Sequence, residues 1–203
     1  MAEVFDSVIQ QSGGKFIYSK GATESSYKQI KEAVELLSMG GLVISVTHTA
    51  ANGIPLGAEI NPKNKKLLLL DTGVFQRLLQ LNIGELISET DFEAVNKRAI
   101  AEQYTGLELL KAASCYRQEA LFYWQREARN SNAEVDYVVQ RSGQVVPVEV
   151  KSGKKGAMKS MHIFLQEKKS SYGGRFSMEN FAKYENILVV PLYAVGDWYG
   201  NAF

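Results

Sequence analysis

This chain of 203 residues has one cysteine, Cys115, and no apolar run that approaches the ~20 residues of a membrane span. A single cysteine excludes a disulfide framework and a cysteine-based zinc site, and it fits a reducing compartment. Cys115 itself reads as a small buried apolar residue. Charge of one sign is also missing: the net charge is +1, so the molecule is no polycation and any nucleic-acid surface must be a local patch. The N-terminal MAEVFDSVIQQ lacks the basic-then-apolar pattern of a signal peptide. No internal repeat or low-complexity tract occurs. These absences read as a soluble cytoplasmic protein that is not tied to a membrane. What is present is an ordinary globular balance, 45% hydrophobic and 22% charged, enough for one large domain or two small ones with a sizeable core.

Hydrophobic spacing predicts a short helix over 3–11 and a clearer one over 25–38, where Tyr27, Ile30, Val34 and Leu37 share a face before Gly40-Gly41 stops it. GLVISV (41–46) alternates like a strand. The polar stretch 47–66 reads as a flexible loop, LLLL (67–70) as a second short strand, and 74–81 as another helix. Helix, helix, then two strands around a loop is a winged-helix pattern. Past residue 90 the spacing predicts a long helix over 91–113 with Glu93 near its start. Strands follow at 121–126, 134–140 and 145–151, then a helix at 158–169 and a buried strand at 187–192. Residues 170–181 read as a long mobile loop. Helix, three strands, helix, strand makes a mixed α/β unit.

Chemistry concentrates in EVDYVVQRSGQVVPVEVKSG (134–153). Ser142-Gly143 suits a two-residue hairpin turn, which places Asp136 directly opposite Glu149 and Glu134 opposite Lys151. Cross-strand partners have Cβ atoms about 4.5–5.5 Å apart, and two carboxylates that close repel unless a cation or a proton sits between them. Val135, Tyr137 and Val139 fall on one face with Val146, Val148 and Val150. Asp136, Glu149 and Lys151 fall on the other. Two acids and a lysine together suit a hard divalent ion such as Mg²⁺, with Lys151 acting on water or on phosphate charge. The alternative is an exposed strand face laced with cross-strand ion pairs. Pro147 removes a ladder donor and suits the start or edge of a strand.

A third acid is Glu102. Val95, Ala99, Glu102, Gly106, Leu109 and Ala113 form one helical stripe, and Glu102 is its sole charged member. An acid in an inward stripe needs a partner; the alternative is a glutamate at the helix edge reaching water.

With KFIYSK (15–20), LLSMGGLVISV, IPLGAE, KKLLLLDTGVF (65–75), AEQYTGLELL (101–110), FYWQRE, AEVDYVV and VPVEVKSG, the chain resembles the PD-(D/E)XK nuclease superfamily. More narrowly, it resembles the C-terminal half of a family of bacterial and archaeal AAA-type ATPases with a nuclease-like tail, and the resemblance covers nearly the whole chain. It implies a winged-helix-like domain over 1–82, then a restriction-endonuclease-like mixed sheet flanked by helices over 83–203. It also implies Asp136, Glu149 and Glu102 around Mg²⁺ or Mn²⁺, with the Val150 carbonyl in the metal shell and Lys151 completing the acid-any-lysine pair. The implied partners are DNA, an ATPase domain in cis and a second copy of the chain. The implied activity is metal-dependent DNA phosphodiester hydrolysis. The alternative is a catalytically silent nuclease-fold module that binds DNA or assembles the ATPase. Members of that family normally begin with a P-loop domain. No GxxxxGK[ST] occurs here, so the expectation is a truncated or stand-alone tail to which ATP hydrolysis is not assigned.

Residues 148–175 carry seven basic side chains, Lys151, Lys154, Lys155, Lys159, Lys168, Lys169 and Arg175, against Glu149 and Glu167. This segment reads either as a grip on the phosphate backbone or as a solvated helix face. Lys28 and Lys31 are candidate winged-helix contacts to DNA. His48 and His162 read as structural rather than ligating, and Tyr123 and Trp124 as core.

Overall fold

The capping box that opens the second helix shows how local chemistry sets the elements. Ser26 accepts from the Gln29 backbone while the Gln29 side chain accepts from the Ser26 N–H at 2.8 Å. The computed structural model describes residues 1–81, 94–116, 119–127, 132–153 and 158–200. Its elements are α1 (Ala2–Gln10), α2 (Tyr27–Met39), β1 (Val43–Thr49), β2 (Ile60–Leu69), α3 (Thr72–Leu78), α4 (Ala94–Lys111), β3 (Leu121–Gln125), β4 (Glu134–Arg141), β5 (Gln144–Val150), α5 (Lys159–Lys168), β6 (Gly173–Ser177), β7 (Ala182–Tyr184), β8 (Ile187–Pro191) and α6 (Val195–Gly200). The fold is mixed α/β, with the strand order β2-β1-β3-β4-β5-β6-β8-β7 in one sheet flanked by helices. Pairing is antiparallel from β3 to β5, parallel from β5 through β6 to β8, and antiparallel between β8 and β7.

Two compact units are present: Met1–Val46 with Asn64–Tyr104, and Thr47–Lys63 with Thr105–Phe203. In chain order the two units interleave. Residues 47–63 pack with the second unit, and α4 is split, its N-terminal part belonging to the first.

In the first unit, α1, α2 and α3 bury Val8, Ile30, Val34, Leu37 and Phe75 against Leu67 and Leu69 of β2 and Ala99 of α4. Each such side chain stabilises by about 1.5–3 kcal/mol. Tyr27, expected on the inward stripe of α2, is more than half exposed and tilts against Tyr18 with ring centroids 5.1 Å apart. Asp71 caps α3, accepting from the Val74 N–H at 2.8 Å. Gln103 of α4 completes the unit: its side-chain oxygen accepts from Leu69 N–H at 3.0 Å and its amide donates to the Leu69 carbonyl.

Several expected loops are strands. Within 47–66, β1 runs on to Thr49 and β2 already starts at Ile60, so the loop shrinks to its middle. Polar residues mask β2 because its first half is largely exposed. The stretch 170–181 contains β6, whose five residues are all buried. β6 has no hydrophobic run to announce it, because its first two positions are glycines packed tightly against their neighbours. A Cβ on Gly173 would run into the Met161 sulfur and Pro147, and one on Gly174 would press the Trp198 ring and Val148. The long helix covers Ala94–Lys111, and Glu93 lies outside the described residues.

Those glycine contacts also assign the faces of the sheet in the second unit. Met161 of α5 lies over Gly173 and Pro147, so α5 covers the face that carries Pro147, Glu149 and Arg175. Trp198 of α6 covers the opposite face, with Val148. Pro147 is tolerated in a central strand by alternation. Val150 N–H points toward β4 and Lys151 N–H toward β6, so the Pro147 nitrogen faces the β6 side. The β5–β6 ladder begins only at the pair Val148↔Gly174.

Candidate active site

Ser142 and Gly143 turn the hairpin with φ of 49° and 73°, the positive values that a type I′ turn requires. The register that follows runs from Arg141↔Gln144 to Tyr137↔Val148, as the two-residue turn demands. One step beyond, the ladder ends in a side chain: Asp136 Oδ2 accepts from the Val150 N–H at 2.8 Å. The same alternation turns the Val150 carbonyl toward that side.

Asp136 and Glu149 are 2% and 6% exposed, so the exposed ion-pair face considered above is not what forms. By strand alternation both acids lie on the face of the sheet that α5 packs against. Lys151 lies just past β5 and donates to Glu149 Oε1 at 2.6 Å. Glu134 pairs on its β3 side with Gln125, and its backbone N–H donates to Ser160 Oγ at 3.3 Å.

Sequence reasoning placed Arg175 only in a basic run. The structure puts it on β6, directly in register with Glu149, and it is 7% exposed. Its Nη1 lies 3.7 Å from Glu179 Oε2. Burying a guanidinium costs several kcal/mol unless an acid accompanies it, and Glu179 is an acid at its side. The one sequence signal for it is an arginine isolated between Gly-Gly and an aromatic residue in a stretch otherwise devoid of pattern.

Asp136, Glu149 and Lys151 are thus gathered at one end of the β4–β5 hairpin. Glu102 belongs to the first unit, where it is buried at 2% exposure. There it accepts from Arg98 Nε at 2.6 Å and lies 3.8 Å from the Lys66 ammonium. Its inward stripe position is satisfied by these two cations. Among the described residues no group of three or more His, Cys, Asp or Glu side chains is arranged to hold a metal ion. Within the second unit, the donor chemistry that fits a hard cation is that of Asp136, Glu149 and the Val150 carbonyl. Mg²⁺ accepts such a set, taking one or two carboxylates and filling its other positions with water and phosphate oxygens.

The remaining candidates have their own surroundings. Lys28 and Lys31 are exposed on α2 and pair with Glu32 and Glu35 at 3.8 and 3.6 Å, which leaves that face mixed in charge rather than basic. Lys159 is exposed at the start of α5, while Lys154 and Lys155 lie outside the described residues. His48 is buried, with Nε2 3.1 Å from the Gln125 carbonyl, and His162 is exposed. Tyr123 and Trp124 are core. Cys115 is exposed, contrary to its apolar reading, because it follows the end of α4 in a turn rather than in a packed element. A cavity of about 210 Å³ in the second unit, bounded by Leu56, Leu109, Leu121 and Tyr199, is lined by none of the acids or lysines above. No helix among the described residues is long and apolar enough to cross a membrane.

Buried acids on paired strands inside a mixed α/β sheet set the class of arrangement. Comparison with known families divides the chain in two. Residues 97–195, which hold Glu102, Asp136, Glu149, Lys151 and Arg175, match a family described as Domain of unknown function (DUF4143). Residues 1–84 match another described as Domain of unknown function (DUF8612). No curated protein and no solved structure matches the chain.

Proposed function

We propose that the second unit is a divalent-metal-dependent phosphodiesterase module of the PD-(D/E)XK type acting on DNA. The observation that carries the reading is the pair of buried acids, Asp136 and Glu149, at one end of a hairpin with Lys151 hydrogen-bonded to the second. Carboxylates are seldom buried together without a cation to hold. Asp136, Glu149 and the Val150 carbonyl would hold Mg²⁺ or Mn²⁺. When bound, such an ion polarises a phosphodiester and lowers the pKa of a coordinated water. Lys151 would orient the attacking water or steady the added negative charge on the phosphate. The Val150 N–H fixes one oxygen of Asp136, so this acid needs no reorganisation as the site loads. The first unit, with its helix-helix-strand-strand order, would position DNA or couple to an ATPase domain in cis. Self-association of the chain belongs to the same reading.

A second reading has its own observation. Lys151 pairs with Glu149, Val150 caps Asp136, and Arg98 with Lys66 neutralises Glu102, so each group finds a partner within the protein. A silent module that binds DNA or assembles an ATPase would have that property. The experiment that separates the two is incubation of pure protein with Mn²⁺ and single-stranded, duplex and branched DNA. The nuclease reading expects cleavage that chelation abolishes and Asp136→Asn removes. Intact DNA in every case, with metal-independent binding that survives Asp136→Asn, favours the silent module.

A further inference from the structure

Two basic residues neighbour Glu149 and are held differently: Lys151 on its carboxylate, and Arg175 in register on the next strand with its guanidinium 3.7 Å from Glu179. Arg175 lies on the adjacent parallel strand, in register, buried, in a strand whose placement Met161 and Trp198 fix through Gly173 and Gly174. Lys151 lies one residue beyond the end of β5, with 21% of its side chain exposed, and it is followed by Ser152 and Gly153 in a bend. Its ammonium is 2.6 Å from Glu149 Oε1, a charge-assisted contact at a carboxylate that is itself 92% shielded.

We propose that the Lys151 ammonium stands in the cation position of this site, and that a divalent ion enters by displacing it from Glu149 while Arg175, paired with Glu179, stays in place. The proposal rests on the metal-site reading above and adds how the site loads. The reason is electrostatic. A divalent ion on a carboxylate oxygen sits about 2.1 Å from it, so an ammonium already on that oxygen would face a second cation across a few ångströms of poorly screened space. Arg175 is buried in mid-strand and paired with Glu179, whereas Lys151 sits at a strand end with 21% of its side chain exposed. Once displaced, Lys151 carries its charge toward the phosphate that accompanies the ion. The acid-any-lysine spacing thus serves two states: lysine on the acid before loading, and lysine on substrate after it.

Calorimetric titration of MnCl₂ into the full chain, without DNA, tests this. Wild-type protein should bind Mn²⁺, and Asp136→Asn should lose it. Lys151→Met should bind roughly tenfold tighter or more, the equilibrium value of one charge-assisted hydrogen bond no longer competing. Lys151→Gln, which keeps a polar group and drops the charge, should shift in the same direction and carries the comparison if Lys151→Met does not fold. Equal or weaker Mn²⁺ affinity in the folded lysine variants, with wild-type binding intact, overturns the displacement and leaves the metal site standing. No binding by wild type or by either lysine variant overturns both.

Discussion

Val150 donates its backbone N–H to the Asp136 carboxylate at 2.8 Å, where the antiparallel ladder of the hairpin gives way to a side chain. One acid therefore terminates the ladder and defines one side of the candidate site. This double role separates the structural from the chemical consequence of changing it.

Asp136→Ala should leave the Val150 N–H buried without an acceptor and cost about 1–3 kcal/mol. Asp136→Asn retains an oxygen acceptor and should cost clearly less. Urea unfolding of the two variants reads the difference, while both should fail to cleave DNA in Mn²⁺. Equal stability losses would mean that the hydrogen bond is not what Asp136 contributes.

Glu102, read from the sequence as a metal acid, is engaged in a buried ion pair with Lys66, joined by Arg98. Lys66→Met should destabilise by about 3–5 kcal/mol, toward the lower end because Arg98 still reaches Glu102. Adding Glu102→Leu should recover most of that loss, since an apolar pair replaces an unbalanced charge. Denaturant midpoints of the single and double variants decide it; a double variant as unstable as Lys66→Met would contradict the pairing.

Gly173→Ala should cost about 1–3 kcal/mol by overpacking against the Met161 sulfur and Pro147. Met161→Ala in the same chain should relieve part of the clash at the price of a cavity. The loss in thermal midpoint of the double variant should therefore be smaller than the sum of the two single losses. Strict additivity would show that Met161 is not what excludes a side chain there.

Burial raises the Tyr18 hydroxyl above its ordinary value, with Tyr27 and Glu35 adding to the shift. The folded state favours the neutral phenol, so this contribution is complete below the unfolded pKa of about 10 and is lost as pH rises through the folded value. Stability measured from pH 9 to 11.5 should fall less steeply in Tyr18→Phe than in wild type. Identical slopes would remove Tyr18 from the alkaline transition.

The hairpin was legible in the sequence because three signals coincide there: a Ser-Gly turn, strict alternation and a register that two turn residues leave no freedom to slip. The helices were legible from their apolar spacing. β6 was not, because the residues that make it a strand are glycines selected by Met161 and Trp198 from elsewhere in the chain. β2 was hidden by Asn, Pro and Lys at positions that face solvent along its first half. Of the site, Asp136, Glu149 and Lys151 could be found as a local pattern. Arg175 could not, since its place beside Glu149 comes from a parallel pairing across the intervening α5. The Lys66 partner of Glu102 is likewise a long-range contact with no local trace.

The central claim, that Asp136 and Glu149 form a divalent-cation site which Lys151 vacates, is tested most directly by anomalous scattering from a crystal grown with Mn²⁺. The account expects a manganese peak within coordination distance of both carboxylates and the Lys151 ammonium withdrawn from Glu149. A clean map with no manganese at these residues, and Lys151 still hydrogen-bonded to Glu149 at saturating Mn²⁺, would contradict it.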